Sequence, residues 1–327
     1  MQSVLERQLL VVTGKGGVGK TTIAATVGLL AAERGLNTIV VEVGDQSRLP
    51  GLFGLPPGDP GVETSLGERL SSISIDPDRA LLEWLQALGG RVSGRVLASS
   101  GTFQYFAAAA PGAKELVSMV KIWELTQAKR WHRRASGYDL VVVDAPASGH
   151  AIGMLRSPHT FGAIARVGPI ASQSKKLQEL LEDPARTAYL AVALGTEMAV
   201  TEALELEDDL RTQLNQGLAA VIVNGLLPQR FTAAELQRIA ALNGELIPAG
   251  VQQRAARPGD GPVGEDALRR SAVRAARGVH ERARLQRNEL ARLRRRSFTV
   301  VNVPFVWDAQ LELPAIRALA QRLGRKL

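Results

Sequence analysis

The chain has no cysteine. Disulfides, thiolate nucleophiles, iron–sulfur clusters and cysteine-built zinc sites are therefore excluded. Aromatic residues are also scarce, at 4% of 327 residues. Aliphatic side chains must fill the core, and a hydrophobic content of 45% is enough for a substantial one. No apolar run approaches the roughly 18 residues that span a bilayer. The opening MQSVLERQ lacks the basic, apolar and cleavage regions of a signal peptide. A soluble, cytoplasmic protein is the expectation. Acidic charge falls short of basic charge, leaving a net +8 that is carried mostly by arginine. Such a chain attracts nucleic acid, anionic lipid or phosphorylated ligands, and net charge alone does not choose among them.

Short apolar runs recur along the chain. They are Leu9 to Val12, Asn37 to Val43, Leu140 to Asp144, Leu190 to Leu194, Leu218 to Asn224 and Phe298 to Pro304. Helical patterns separate them, beginning with the alanine-rich stretch from Lys20 to Arg34. This alternation predicts an α/β fold with a doubly wound, mostly parallel sheet. Nearly a hundred residues lie between Val43 and Leu140, too many for one crossover. An α-helical subdomain is expected there, at about 59–135 with a second part at 157–186, inserted in one domain spanning 1–327. Ser71 to Ile75 (SSISI) reads as a short strand in that region, and Asp76-Pro77 as a cap and first-turn proline for a helix through Leu88. Arg257 to Gly264 reads as a loop.

Gly14-Lys15-Gly16-Gly17-Val18-Gly19-Lys20-Thr21-Thr22 follows an apolar run and opens a helical one. It fits the phosphate-loop pattern G-x-x-x-x-G-K-[ST] in the context that pattern requires. The glycines let backbone N–H groups converge on phosphate oxygens, and the helix aims its positive end at the same anion. Lys20 is placed to reach the β- and γ-phosphates and Thr21 to ligand Mg²⁺, so ATP and Mg²⁺ are the expected ligands. Asp144, ending a buried strand, is placed to hold the metal through water, and Gly149 allows the following loop to move.

GKGGVGKTT, with its early lysine, resembles the deviant Walker A loop. That loop marks the superfamily of the arsenite-pump ATPase ArsA, the tail-anchored-protein targeting ATPases and the ParA and MinD partition ATPases. The resemblance implies that Lys15 reaches across a dimer interface to the partner's nucleotide. Asp144 to His150 (DAPASGH) resembles the switch II motif D-T-A-P-T-G-H of the ArsA-like branch, which makes Gly149 and His150 switch residues. Ala110 to Gly112 and Leu155 to Thr160 resemble two further family segments. Asn224 matches the family's adenine-reading asparagine. Val303-Pro304-Phe305 resembles the loop that packs on the base. The resemblance runs from Leu9 to about Leu323 and implies an ATPase acting as a dimeric switch, homodimeric or paired with a paralogue. An apolar client such as a membrane-protein tail is implied with it, although the four methionines offer no Met-rich groove.

Two departures stand out. The family's switch I reads D-P-A-H-[SN], and its aspartate orients the attacking water. Val43 occupies that place here, as in the V-E-V-E-G pattern of some bacterial ArsA-like proteins. Valine neither orients water nor accepts a proton. Asp45 is the nearby candidate, whereas strand alternation turns Glu42 the other way from Val43. Slow hydrolysis is expected, and a non-hydrolysing subunit of a heterodimer is the alternative. The second departure is the missing cysteine, which removes thiolate capture of arsenite and a zinc-bridged dimer.

Arg269 to Arg296 holds eleven arginines and only two acids, Glu281 and Glu289. It suits a nucleic-acid or membrane patch, as in a ParA- or MinD-type positioning ATPase, or a long solvated helix. Ala272, Ala276, Val279, Ala283, Leu290 and Leu293 give it a packing face, and stacking aromatics are absent. The solvated helix is the preferred reading, and nucleic acid is not an expected partner. Leu313 to Leu323 reads as a final sheet-packing helix rather than a membrane anchor.

Overall fold

The computed structural model describes residues 4–44, 47–98, 112–132, 135–165, 167–242, 265–308 and 311–326. Asp45, Ala110, Pro111 and the 257–264 loop lie outside them. Eight strands form one sheet: β1 (Leu9–Gly14), β2 (Thr38–Val43), β3 (Thr64–Gly67), β4 (Leu70–Ile75), β5 (Leu140–Ala147), β6 (Thr187–Leu194), β7 (Leu218–Leu226) and β8 (Thr299–Pro304). Their order is β3-β4-β2-β5-β1-β6-β7-β8. Among the described residues, only the β3–β4 pairing is antiparallel. All six expected runs are strands, and β1 and β6 are almost wholly buried, as a sheet covered on both faces demands. From β1 the chain winds one way to β2 and β4, returns to β5, then crosses β1 to wind the other way through β6, β7 and β8. That reversal is the doubly wound arrangement, and ligands bind where it occurs, beyond the carboxyl ends of the strands.

The helices are α1 (Lys20–Glu33), α2 (Leu49–Leu52), α3 (Pro77–Ala98), α4 (Ala113–Leu125), α5 (Ser148–Ile164), α6 (Pro169–Leu181), α7 (Glu197–Leu214), α8 (Ala233–Leu242), α9 (Glu265–Leu293) and α10 (Leu313–Leu323). Helix α1 packs beneath β1, β2 and β5 and against α10, while α3 to α6 pack mainly on one another. Helix α10 matches the expected final helix and buries Ile316, Leu319, Ala320 and Leu323. No helix among the described residues is long and apolar enough to cross a membrane.

Three boundaries differ from expectation. Residues 64–75 are sheet, so the helical part begins at Pro77 rather than near residue 59. The β3–β4 hairpin turns through Arg69, which sits at φ 55°, without the Gly or Asn that marks such a turn. Asp76 caps α3 as anticipated, its Oδ1 accepting the Asp78 and Arg79 N–H groups, but α3 runs past Leu88 to Ala98. The second helical part starts at Ser148, immediately after β5, rather than at 157. In α9, Ala283, Leu290 and Leu293 are buried as read, whereas Val273 is buried and Ala272 faces out.

A buried polar network anchors α3 and α4 to the sheet. Arg130 donates from Nε to Glu124 Oε1 (2.6 Å) and from Nη2 to Glu63 Oε1 (2.6 Å). Lys121 bridges Glu83 (2.7 Å) and Glu124 (3.1 Å), and the Trp131 N–H also reaches Glu124. Tyr138 donates to Glu63 Oε2. Burial alone would raise the Glu124 carboxyl, but the Arg130 bonds and the Lys121 charge hold it below the ordinary glutamate value.

Candidate nucleotide site

Strand β1 ends at Gly14, whose φ of 144° turns the chain out of the sheet. A Cβ there would lie 2.1 Å from the Val192 carbonyl oxygen of β6, so only glycine fits. Gly17 (φ 81°) and Gly19 (φ 94°) continue the turn, and Gly19 is the N-cap of α1. A Cβ on Gly19 would meet Asn224 Nδ2 at 2.5 Å. The Asn224 amide, brought by β7, donates to the Val18 carbonyl at 2.9 Å. The loop from Gly14 to Thr22 is thereby held open above the helix N-terminus, with Gly16 and Gly17 free of neighbours on their Cβ side.

Two lysines frame the loop. Lys20 donates to the Lys15 carbonyl (3.1 Å), folding its ammonium across the cradle. Burial lowers the Lys20 pKa from its ordinary value, while the Asp144 and Glu202 charges pull the other way. Lys15 forms an ion pair at 2.7 Å with Glu202 of α7.

Thr21 donates to Asp144 Oδ2 at 2.6 Å, joining the first turn of α1 to β5. Asp144 Oδ1 is buried and accepts no hydrogen bond. Burial raises the Asp144 pKa, against the Thr21 bond and the Lys20 and Arg48 charges. A threonine hydroxyl and a half-satisfied carboxylate beside a phosphate cradle are the donor set of a hard divalent cation, so the residues fit Mg²⁺. Thr13 Oγ1 donates to the Pro146 carbonyl, which fixes the start of the segment after Asp144. Gly149 and His150 lie exposed in the first turn of α5.

Beside the loop opens a cavity of about 940 Å³. Gly17, Val18, Gly19 and Thr22 form one wall, Asn224 and Phe305 another. Phe305 and Trp307 pack edge to face at 4.7 Å, and the Arg230 guanidinium sits 5.5 Å from the Trp307 ring. Pro304 does not line the cavity. It ends β8, paired with Leu226, and so places Phe305. The cavity is large and mostly apolar, with a few polar groups, as a nucleoside site requires.

The structure thus brings Lys15, Lys20, Thr21 and Asp144 together at the loop, with Asn224 and Phe305 in the adjoining cavity. Glu42 and Val43 do diverge: Glu42 is buried and Val43 half-buried at the end of β2. Three participants escaped the sequence reading. Glu202 pairs with Lys15 across 187 positions. Gln286 of α9 braces the end of β7, accepting from the Leu227 N–H and donating to the Gly225 carbonyl. Trp307 packs edge to face against Phe305. None of the three lies in a recognisable pattern, because each acts through a contact made only by the folded chain.

Comparison with known proteins agrees with this geometry. The family model described as Anion-transporting ATPase matches residues 7–167. The chain is 31% identical over 260 residues, 75% of each chain, to the ATPase BagA of Mycobacterium tuberculosis. It is 29% identical over 239 residues to a putative arsenical pump-driving ATPase of Halobacterium salinarum, covering 70% of this chain and 37% of that one. It is 23% identical over 276 residues to the ATPase GET3C of Arabidopsis thaliana, covering 70% and 69%. With the phosphate loop, the Asp144 strand and these relatives in agreement, the chain belongs to the ArsA-type anion-transporting ATPase family.

Proposed function

We propose that the chain is a cytoplasmic ATPase that binds ATP with Mg²⁺ and works as a dimeric switch. The observation that carries this reading is the Thr21–Asp144 bond at the foot of the Gly14–Thr22 loop, with Asp144 Oδ1 left open. Loop N–H groups would hold the β- and γ-phosphates, and Lys20 would release the Lys15 carbonyl to neutralise them. Thr21 and Asp144 would hold Mg²⁺, the aspartate through water. The ion supplies charge neutralisation at the leaving phosphates. Asn224 and Phe305 would take the adenine, with Pro304 behind them.

Val43 has no polar atom with which to align the attacking water, so hydrolysis is slow and Asp45 is the candidate to assist it. Lys15 would serve the partner subunit's nucleotide, which requires its pair with Glu202 to open. Gly149 and His150, at the exposed start of α5, would pass loss of the γ-phosphate to α5 and α6. Leu82, Leu88, Ile164 and Val167 are exposed apolar residues on this helical part, and Val167 is 85% exposed. They favour an apolar client over nucleic acid.

Single-turnover hydrolysis of γ-labelled ATP at enzyme excess, with light scattering, tests the reading. Slow phosphate release and an ATP-dependent doubling of mass are expected. Release seen only after mixing with a paralogue would support the non-hydrolysing subunit that Val43 also allows. No release and no change of mass in either case would refute both.

A further inference from the structure

Strands β2 and β5 run parallel with Glu42 opposite Asp144. Paired residues of adjacent parallel strands present their side chains to the same face, on strands about 4.8 Å apart. Glu42 is 5% exposed, and its Oε2 is buried without a hydrogen-bond partner, as is Asp144 Oδ1. Two unsatisfied carboxylate oxygens therefore share one face beside Thr21. Burial raises the Glu42 pKa, with the Arg48 and Leu49 N–H bonds opposing and the Asp144 charge adding to the rise. The Arg48 charge reaches both carboxylates, yet neither open oxygen accepts a bond from it. Buried acceptors of this kind are rare in folded proteins and call for an ion, a water or a proton.

We infer that Glu42 is a second carboxylate of the magnesium site, holding the hydration shell of the ion from β2 as Asp144 does from β5. The inference rests on the nucleotide-binding reading above. Outer-shell carboxylates orient metal-bound water and raise affinity. Glu42 is suited to a further part. Its Oε1 accepts the N–H groups of Arg48 (2.8 Å) and Leu49 (3.2 Å), at the entry to α2. Ser74 Oγ, from the neighbouring strand β4, donates to the Gly44 carbonyl of the same segment. One oxygen of Glu42 is left open and the other holds the segment after β2. The side chain thus links metal arrival to switch I in a chain whose Val43 offers no such link.

The test is Mn²⁺ titration of the full chain saturated with ADP, followed by electron paramagnetic resonance, for wild type, Glu42→Gln and Asp144→Asn. ADP removes hydrolysis from the readout. Glu42→Gln keeps an oxygen for Arg48 and Leu49, so the segment stays anchored. Expected is Mn²⁺ affinity weakened on the order of 10-fold in each variant, with metal-free ADP affinity undiminished. If Glu42→Gln holds Mn²⁺ as tightly as wild type while Asp144→Asn does not, the inference fails and the nucleotide site stands. If wild type takes up no ADP, both fail. Should Glu42→Gln melt before titration, Glu42→Asp replaces it, with weakened and unchanged affinity read the same way.

Discussion

Two buried carboxylate clusters in this molecule are built oppositely. Around Glu124 both oxygens are filled, by Arg130, Lys121 and the Trp131 N–H. At Asp144 and Glu42 one oxygen of each stays open. The first cluster is closed on itself and fastens α3 and α4 to the edge of the sheet. The second is closed only on its protein side and faces the phosphate loop. Buried charge by itself does not mark function. What separates scaffold from site is whether the chain satisfies its own acceptors.

Breaking the closed cluster should give the largest loss of stability. Glu124→Ala leaves Arg130 buried with half its partners and should cost about 3–5 kcal/mol in urea denaturation, with the site chemistry intact in the folded fraction. Asp144→Asn should change stability by about 1 kcal/mol or less and act on metal-dependent nucleotide affinity instead. Equal stability losses in the two variants would erase the distinction.

The closed cluster also has a pH signature. The folded-state pKa of Glu124 is held below its unfolded value, so its contribution is present above the ordinary glutamate pKa. It is lost as pH falls through the depressed value. Acid titration of stability should therefore show a loss below the ordinary glutamate range that Glu124→Gln flattens.

Gly19→Ala probes the loop that the open cluster serves. The added methyl meets Asn224 Nδ2 and the backbone holds φ 94°, so about 1–2 kcal/mol of stability should go, together with nucleotide binding. Thermal melts with and without ATP would separate the two effects.

The smallest effect on stability is expected at Lys15. Its pair with Glu202 is about one-third exposed on each side, so Glu202→Gln should shift stability by roughly 0.5 kcal/mol or less. Freeing Lys15 should still speed ATP-dependent dimer formation, read by stopped-flow light scattering. An unchanged rate would remove Glu202 from the account.

The open cluster was far more legible in the sequence than the closed one. The phosphate loop is a local device: nine consecutive residues, from Gly14 to Thr22, carry its glycines, lysine and threonine. Asp144 announces itself as an acid ending an apolar run. The parallel strands are legible because burial on both faces makes each a continuous apolar stretch. The closed cluster draws on Glu63, Glu83, Lys121, Glu124 and Arg130, scattered over two helices and two loops, and no periodicity assembles them. Strand β4 is legible in Ser71 to Ile75, but the hairpin it forms with β3 is hidden for a related reason, since the edge strand β3 is short and polar and the turn uses Arg69. Strand alternation alone turns Glu42 away from Val43. What the sequence could not express was the register that sets it opposite Asp144.

The loop and Lys20 must grip a polyphosphate for any of this to operate, and isothermal calorimetry of ATP with Mg²⁺ measures that grip. One saturable site per chain is expected in wild type, with Lys20→Ala weakened roughly tenfold or more. Absence of binding to wild type, or equal affinity in Lys20→Ala, would contradict it.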